Sequence, residues 1–444
     1  MSQKPNIVQI TTHDSGRHFG CYGHPTLHTP AIDSLAAGGV RFTNYFCTVP
    51  ICSASRVSQL TGLYPQSNGM MDLVNFGWRI RDGVRHASRI FKAAGYRTAL
   101  FGVQHEVLGS DLGRLEFDLA EPKPANALAV AGRVAAFLKE SSQPQQPFYA
   151  QVGFRETHTP FDRDGARPDS KRGVEIPPYM DDTLSSRTAM AGYQGAIRVV
   201  DSAVAMILAA LRAGGLENDT IVVFTTDHGI EMPRAKWNLY DPGIAIGMIV
   251  RYPRGSLAGG RECSLLMSNV DYLPTLLELA GVSCRGTMEG HSFAGALHRE
   301  LPGPVRSEVF GLYHKTQTRC VRTNRFKLIR HFDNATDYHT IPVRTEDAQM
   351  KRVIGQVELF DLKADPNEFN NLAGRPEHLS EQLALENSLW KWMEAVDDPL
   401  LKGPVRTPSY NAAISDYKSW KKGKHSSRLR RAARRRQDRG AGRK

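Results

Sequence analysis

The sequence has no long hydrophobic run and no cysteine framework. No apolar stretch approaches the roughly 18 residues that cross a bilayer, so we expect no transmembrane segment. The six cysteines form no Cys-x-x-Cys pair, which favours reduced thiols over a disulfide framework. The N-terminal residues lack an apolar core followed by a cleavage site, and we therefore expect no secretion signal and a cytoplasmic protein.

Acidic residues are scarce at the C-terminal end. The whole chain carries a net charge of +12. Residues 421–444 contain 12 Lys/Arg and one acid, Asp438, so this segment carries +11 and the other 420 residues carry only +1. Such a segment attracts nucleic acid, acidic lipid or sulfated polysaccharide. We expect a disordered tail without a dedicated partner, with contact to nucleic acid or an anionic surface as the alternative.

The pattern of apolar runs predicts two folded parts. From residue 6 to about 280, apolar strands alternate with amphipathic helices, which predicts an α/β domain whose large, mostly parallel sheet is covered by helices on both faces. From about residue 301, short strands and one helix predict a small antiparallel α+β subdomain. We therefore divide the chain into a catalytic domain at 1–300, a subdomain at 301–400, and a linker with the basic tail at 401–444.

Polar side chains follow four of the predicted strands, at the point where each strand ends. Ligand sites in open α/β sheets collect at the carboxyl ends of strands, so the sequence predicts a polar, metal-binding site at one edge of the sheet. Carboxylates suit Ca²⁺, Mg²⁺ or Mn²⁺, and imidazoles shift the preference towards Mn²⁺ or Zn²⁺. Each Asp, taken alone, could instead cap a helix. The residues that follow the strands are His13 and Asp14, His105, His158, and Asp227 and His228.

Residues 50–62 combine a thiol, a guanidinium and a predicted helix start. Cys52 comes just before a short helical pattern that stops at Gly62. The free N–H groups at a helix N-terminus favour negative charge, and Arg56 at i+4 projects from the same face as Cys52. Together they form a cradle for a tetrahedral oxyanion such as sulfate or phosphate. The alternative is that Cys52 is a small buried hydrophobe.

This stretch resembles a known signature. Cys52-Ser-Ala-Ser-Arg56, followed by Leu60-Thr61-Gly62, resembles the sulfatase pattern Cys-x-Pro-Ser-Arg with Leu-Thr-Gly. Thr-Asp-His-Gly at 226–229 and His-Thr-Pro-Phe at 158–161 resemble further motifs of that family, in order, within a match over residues 5–373. Ser-Asn-Gly-Met at 67–70 resembles its heparan N-sulfatase branch.

The resemblance implies an alkaline-phosphatase-like fold and a sulfuric ester hydrolase. It implies that a formylglycine-generating enzyme or a radical maturase converts Cys52 to formylglycine, which hydrates and attacks sulfur. It also implies a divalent metal, with Ca²⁺ expected and Mn²⁺ or Zn²⁺ as alternatives, on Asp14, Asp227 and His228 with His13. The implied substrate is a sulfate monoester or sulfamate on a sugar or small organic molecule.

The resemblance also assigns roles to side chains. Arg56 and Lys236 bind the sulfate and stabilise its developing charge. His158 or Lys236 protonates the leaving group, and His105 assists release of sulfate. Gln104 is the candidate to replace the lysine that the family carries where this chain has Val103.

Two rival functions stay open. The sequence departs from the family pattern at His13, Ala54 and Val103, where Asp, Pro and Lys are usual. A related phosphoester or phosphonate monoester hydrolase would use the same metal, formylglycine and arginine. A non-enzymatic anion-binding homologue would keep the fold while Cys52 stays a thiol.

Overall fold

The described residues form three β-sheets, of eight, four and two strands. The structure, a computed structural model, describes residues 4–122, 126–141, 146–284, 286–298, 305–332 and 357–421. In chain order, the strands are β1 (Asn6–Thr12), β2 (Val40–Phe42), β3 (Tyr45–Phe46), β4 (Arg97–Gly102), β5 (Leu119–Glu121), β6 (Phe148–Phe154), β7 (Thr220–Thr226), β8 (Met248–Arg251), β9 (Arg261–Cys263), β10 (Met267–Ser268), β11 (Val309–Tyr313), β12 (Thr318–Arg322), β13 (Phe326–His331) and β14 (Val357–Asp361).

The large sheet has eight strands in the order β5-β4-β6-β1-β7-β8-β2-β9. Strand β1 lies at its centre and pairs in parallel with β6 and β7. The pairing of β8 with β7 and β2 is antiparallel, so the sheet is mixed but mostly parallel. The four strands β4, β6, β1 and β7 are neighbours and run in one direction, and their carboxyl ends therefore meet at one edge.

Helices cover both faces of this sheet. One hydrophobic core packs the helices that begin at Pro30, Ala127 and Leu184 against one face, and a second core packs those that begin at Cys52, Ala87 and Tyr272 against the other. The prediction of a doubly covered α/β sheet is therefore confirmed. The helices are α1 (Pro30–Ala37), α2 (Cys52–Thr61), α3 (Pro65–Asn68), α4 (Ala87–Ala93), α5 (Ala127–Glu140), α6 (Leu184–Ala213), α7 (Asp241–Ile244), α8 (Tyr272–Leu279), α9 (Ala294–Leu297), α10 (Leu379–Ala395) and α11 (Pro408–Lys421).

The small sheet is antiparallel, in the order β11-β12-β13-β14. Helix α10 packs on β12 and β13, as the pattern of short strands followed by one helix predicts. The predicted domain boundary at residue 300 lies outside the described residues and stays a prediction. The six cysteines are free, and no helix of the described residues is long and apolar enough to cross a bilayer.

The segment that we expected to be linker contains a helix. Residues 401–420 were assigned to the linker, yet α11 begins at Pro408 and ends at Lys421. Thr407 supports its first turn, because its hydroxyl accepts a hydrogen bond from the Tyr410 N–H, and strong helix formers such as Ala412 favour its continuation. None of its residues is buried, although Tyr410, Ile414 and Tyr417 stand at helical spacing in the sequence. The rest of the predicted basic tail, residues 422–444, lies outside the described part of the chain.

Candidate active site

The residues that follow the four parallel strands come together at one edge of the sheet. The ring of His13, after β1, lies 4.9 Å from the ring of His105, after β4, and 5.6 Å from the ring of His158, after β6. Nδ1 of His13 also lies 3.2 Å from Oδ2 of Asp227, which follows β7. The shared edge that the strand pattern predicts is therefore a single cluster of polar side chains.

Cys52 enters this cluster from the N-terminus of α2. Its Sγ lies 3.2 Å from Nε2 of His228 and 3.8 Å from Oδ1 of Asp14, and only 2% of Cys52 is exposed. Ile51, the residue before the helix, has extended backbone and no side-chain acceptor. The N–H groups of the first turn are therefore not capped by its side chain and are available to an anion.

The rest of helix α2 is fixed to the sheet by hydrogen bonds on both sides. The Ser55 hydroxyl donates to the carbonyl of Asp227 at 2.5 Å. The Asn269 side-chain amide donates to the Ser55 carbonyl at 3.0 Å. The helix ends at Gly62, whose φ of 68° is the left-handed conformation that glycine adopts without strain. These contacts fix the position of residue 52 relative to the edge of the sheet.

Arg56 is buried beside the cluster and is only partly paired. Its Nε donates to Oδ2 of Asp227 at 3.0 Å, while its buried Nη2 has no hydrogen-bond partner. Burial acts to lower the pKa of Arg56, but the nearby carboxylates of Asp227 and Glu106 raise it above the usual value. A charged guanidinium nitrogen without a partner is a donor that can bind an oxyanion.

Lys236 supplies a second buried cation. Its Nζ donates to Oδ2 of Asp14 at 2.6 Å and lies 3.4 Å from Nε2 of His158. Burial disfavours the charged form, yet Asp14 and Glu231 hold the pKa of Lys236 above its usual value. The ammonium group is therefore charged and lies between a carboxylate and an imidazole.

Four residues form a set that fits a divalent metal. Ligand atoms of His13, Asp14 and Asp227, with Cys52, lie within 4.8 Å of one another. Nε2 of His228 lies 3.1 Å from Oδ1 of Asp14, and its Nδ1 is 2.9 Å from the Gly229 carbonyl. That second contact leaves Nε2 free to face the cluster, as in metal-ligating histidines.

The charges within this set also fit a cation. The ring nitrogens of His13 are buried, and neither makes an aligned hydrogen bond, although Nδ1 lies 3.2 Å from Oδ2 of Asp227. Burial together with Arg56 lowers the pKa of His13 to about 4. Burial alone would raise the pKa of Asp14, but Lys236 and His228 hold it well below the usual value. Two buried carboxylates beside a neutral imidazole are the donors that a divalent ion binds.

His105 and His158 are both partly exposed, and they lie at the edge of the buried cluster. Burial, with contributions from His13 and Arg56, lowers the pKa of His105 to about 2. The side chain of His158 is 29% exposed, whereas those of Lys236 and Asp14 are 3% and 0% exposed. The cluster is therefore open to a ligand on the side where His158 lies.

Gln104 has a different environment from the one expected of a substrate ligand. Its Oε1 accepts hydrogen bonds from the N–H groups of Glu106 and Val107, and its Nε2 donates to the Val107 carbonyl. These three hydrogen bonds all join the Gln104 side chain to the backbone of its own loop. These contacts give Gln104 a structural task and offer no support for its predicted role in substrate binding.

Sequence reasoning missed two acidic residues at the site. Glu231 lies between Lys236 and His158, with Oε2 at 3.2 Å from Nζ and 3.5 Å from Nδ1. Glu106 is fully buried near Arg56, accepts from Gln151 at 3.1 Å, and has one oxygen without a partner. Both acids could have been found from their position in the sequence, because each lies in the same loop as a predicted site residue. Glu231 comes four residues after Asp227, and Glu106 comes one residue after His105.

Comparisons with known proteins agree with this arrangement. A family model described as Sulfatase matches residues 5–282, more than half of the chain. A second one, described as N-sulphoglucosamine sulphohydrolase, C-terminal, matches residues 234–357.

Individual relatives align over most of their length. Human N-sulphoglucosamine sulphohydrolase is 27% identical, over 90% of this chain and 92% of its own. An ulvan-active sulfatase of Formosa agariphila is 27% identical, over 93% of this chain and 85% of its own. A protein solved with its substrate D-glucosamine-2-N,6-O-disulfate has a TM-score of 0.70 at 20% identity, over 90% of this chain and 99% of that chain. At that identity the structural likeness establishes the shared fold.

Proposed function

The chain belongs to the sulfatase family and is a sulfuric ester hydrolase, and we propose that it removes sulfate from a sulfated sugar through a formylglycine made from Cys52. The observation that carries this proposal is the contact set of Cys52. Its Sγ lies within 4 Å of His228 and Asp14, and Arg56 and Lys236 flank the same two acids, Asp14 and Asp227. A nucleophile at this atom would meet an anionic group already surrounded by positive charge.

The proposed cofactor is a divalent metal, with calcium as the expected ion. Asp14, Asp227, His228 and His13 would hold it, and it would act as a Lewis acid that binds sulfate oxygens and favours ionisation of the attacking hydroxyl. Formylglycine at position 52 would supply that hydroxyl once hydrated.

Other side chains of the site stabilise charge and transfer protons during the proposed reaction. Arg56 directs an unpartnered N–H towards the sulfate, and Lys236 adds an ammonium group, so both stabilise charge that develops on the sulfuryl oxygens. His158 and Lys236 lie 3.4 Å apart, and one of them donates a proton to the departing oxygen or nitrogen. His105, a neutral imidazole, accepts the proton when sulfate is released.

A sugar sulfate is the proposed substrate class. The relatives include an ulvan-active sulfatase and an N-sulphoglucosamine sulphohydrolase, and the second family match extends over residues 234–357. Sulfate ester and sulfamate are both within the proposal, because His158 or Lys236 can protonate oxygen or nitrogen.

The first test is the chemical state of Cys52. Conversion of Cys52 to formylglycine lowers the mass of tryptic peptide 42–56 by about 18 Da, which mass spectrometry of protein from the native host would detect. Co-production with an aerobic converting enzyme or with a radical maturase would identify the partner, since Ala54 replaces the usual proline. The Cys52→Ala protein is the unconverted control.

The second test is substrate preference of the converted protein. We expect turnover of D-glucosamine 2-N-sulfate or 6-O-sulfate to exceed that of the matching phosphate ester and of a phosphonate monoester. Faster turnover of the phosphorus compounds would favour the phosphohydrolase alternative. An unmodified thiol together with no turnover would favour a non-enzymatic anion-binding protein.

A further inference from the structure

A second cavity lies apart from the catalytic cluster. It has a volume of about 590 Å³, within the range of small-molecule sites. It is bounded by the loop after β1, the start of α6 and the turn between β12 and β13, and we call it the Arg17 cavity. None of the described residues that line it belongs to the catalytic cluster. The lining residues used below are Arg17, Leu27, Tyr179, Met190, Gln194 and Lys363.

The floor of the Arg17 cavity has an excess of positive charge. The Asp241 carboxylate is shared by Arg322 and Lys327, each at 2.9 Å, and Lys327 also pairs with Glu368 at 2.8 Å. The Asp241 carboxylate is therefore already paired. Arg17 donates to the Thr43 carbonyl, and within the described residues no ion pair joins it to a carboxylate. Burial lowers the pKa of Arg17 and the nearby Asp241 carboxylate acts to raise it, but that carboxylate is already shared by Arg322 and Lys327.

Two of the residues that line the cavity each carry a buried polar atom without a partner. The hydroxyl of Tyr179 and Oε1 of Gln194 have no hydrogen-bond partner, although these residues are only 6% and 2% exposed. The amide nitrogen of Gln194 is already used, since it donates to the carbonyls of Asp169 and Gly173. Buried polar groups in folded proteins are normally paired, so these two atoms indicate a missing donor and acceptor.

The remaining wall is apolar. Leu27 and Met190 are 4% and 3% exposed and face the same space, and Lys363 lies at its exposed rim. A ligand that suits all of these groups has an anionic substituent for Arg17, hydroxyl groups for Tyr179 and Gln194, and C–H faces for the apolar wall.

We propose that the Arg17 cavity binds an anionic saccharide unit, a single sugar that carries a carboxylate or sulfate. The site is separate from the sulfatase reaction, and binding there requires neither metal nor conversion of Cys52. The sugar can be free or can be one unit of a longer acidic chain that also reaches the catalytic cluster.

Binding can be measured on the full chain by saturation-transfer NMR. D-Glucuronate is the monosaccharide probe, D-glucose is its uncharged counterpart, and a hyaluronan tetrasaccharide presents the same uronate in a chain. We expect glucuronate to bind and glucose to bind at least about tenfold more weakly, the size expected for loss of a hydrogen-bonded charge. Tighter binding of the tetrasaccharide would identify a polymer as the source, and binding of the monosaccharide alone would identify a free sugar acid.

Two tyrosine variants provide a matched comparison. Tyr179→Phe removes a hydroxyl without a partner, so it should leave the melting temperature unchanged or raise it, yet weaken glucuronate binding several-fold. Tyr22→Phe removes a hydroxyl that donates to the Met248 carbonyl at 2.9 Å, outside the cavity. It should lower the melting temperature and leave binding unchanged.

Variants of the Arg17 cavity and of the catalytic cluster show at which of these two sites glucuronate binds. Arg17→Gln should weaken glucuronate binding by about tenfold or more, and Cys52→Ser should not change it. If Arg17→Gln and Tyr179→Phe both bind glucuronate as the unaltered protein does, the proposal is wrong. It is equally wrong if no binding is seen at about 10 mM glucuronate, the weak end of measurable affinity.

Discussion

Oε2 of Glu231 lies 3.2 Å from Nζ of Lys236 and 3.5 Å from Nδ1 of His158. One carboxylate thus touches both side chains that are candidates to protonate the leaving group. The same oxygen accepts a hydrogen bond from the Thr159 hydroxyl at 2.7 Å, which fixes its position. Glu231 therefore orients the two candidate donors relative to each other.

Glu231→Gln should reduce turnover selectively for substrates with poor leaving groups. A sugar alkoxide needs a proton as it departs, whereas 4-nitrophenolate leaves without one. We expect kcat for a sugar sulfate to fall about tenfold further than kcat for 4-nitrophenyl sulfate, a small part of the 10²–10⁴ that general acids contribute. Steady-state kinetics on the two substrates would measure this ratio.

The control for this comparison is Glu217→Gln. Glu217 pairs with Arg251 at 2.8 Å, away from the site, and its substitution should change neither rate. Equal losses on both substrates in Glu231→Gln would mean that Glu231 has only a structural role.

Removal of the metal should lower both activity and thermal stability. Without the metal ion, Arg56 and Lys236 offset part of the repulsion between the buried carboxylates of Asp14 and Asp227, and the part that remains destabilises the fold. A bound ion at a hundred times its Kd contributes about 2.7 kcal/mol, so dialysis against EDTA should lower the melting temperature measurably. We expect Ca²⁺ to restore it. Recovery with Mn²⁺ or Zn²⁺ alone would show that His13 and His228 select the ion, and an unchanged melting temperature would contradict a metal site.

The stability of the protein should depend on pH through Glu368. Burial raises the pKa of Glu368 from 4.5 to about 7, and its Oε1 pairs with Lys327 at 2.8 Å. Between these two values the folded state keeps a proton that the unfolded chain has lost. The stabilisation is therefore complete below about pH 4.5 and is lost as the pH rises through about 7, with an upper limit of about 3 kcal/mol.

Glu368→Gln should remove this dependence. From pH 5 to pH 8, the free energy of unfolding of the unaltered protein should fall relative to that of the variant. Urea unfolding at several pH values measures the shift, and the exposed Glu377→Gln serves as the control. A difference that stays constant with pH would contradict the raised pKa.

The ion pair between Arg319 and Asp398 should be a strong contributor to stability of the C-terminal part. Nε and Nη2 of Arg319 donate to the two oxygens of Asp398 at 2.6 and 2.8 Å, and the side chains are 1% and 0% exposed. Asp398→Ala leaves a buried guanidinium unpaired and should reduce the free energy of unfolding by about 3–5 kcal/mol.

Two further variants test this explanation by urea unfolding. Asp182→Ala breaks the exposed pair with Arg187 and should reduce stability by less than about 1 kcal/mol. Combining Asp398→Ala with Arg319→Met should recover part of the loss, because no unpaired charge is left. A double variant as unstable as the sum of its single changes would contradict this account.

Deletion of residues 422–444 should not affect turnover of a small aryl sulfate. The deletion removes 11 Lys/Arg and one Asp, starts immediately after α11 ends at Lys421, and leaves all the candidate site residues intact. Retention on a heparin column should fall, because binding of basic segments to polyanions is electrostatic and weakens with salt. A large loss in kcat would show that the tail takes part in the site.

Much of the fold could be predicted from the spacing of apolar residues. The apolar runs at 148–154 and 326–331 each predict a strand, and these strands match β6 and β13, because long buried strands leave continuous apolar runs. Short strands such as Val40–Phe42 and Arg261–Cys263 were missed. Three residues give too little pattern, and pairing with neighbouring strands decides their conformation. Helix α11 differs from these short strands, because its 14 residues carry apolar side chains at helical spacing, such as Tyr410, Ile414 and Tyr417, but none of its residues is buried. Its proline and tyrosine content resembles that of a linker, and this composition led to the wrong prediction.

The composition of the candidate site could be predicted in part for a related reason. Histidine and aspartate directly after strands must lie at the sheet edge, so His13, Asp14 and His158 could be assigned from position alone. Gln104 also follows a strand, but its amide bonds to its own loop, and no sequence pattern distinguishes those two outcomes.

The sequence alone determined which chemical groups reach the edge of the sheet, because continuous apolar runs mark where each buried strand ends and parallel strands bring those ends to one edge. Only the tertiary structure decided how those groups pair. Glu231 meets Lys236 and His158 because loops after different strands fold over one another, and the Arg17 cavity arises where the small sheet packs on the large domain. Such distances depend on packing between segments far apart in the chain, which local patterns do not encode.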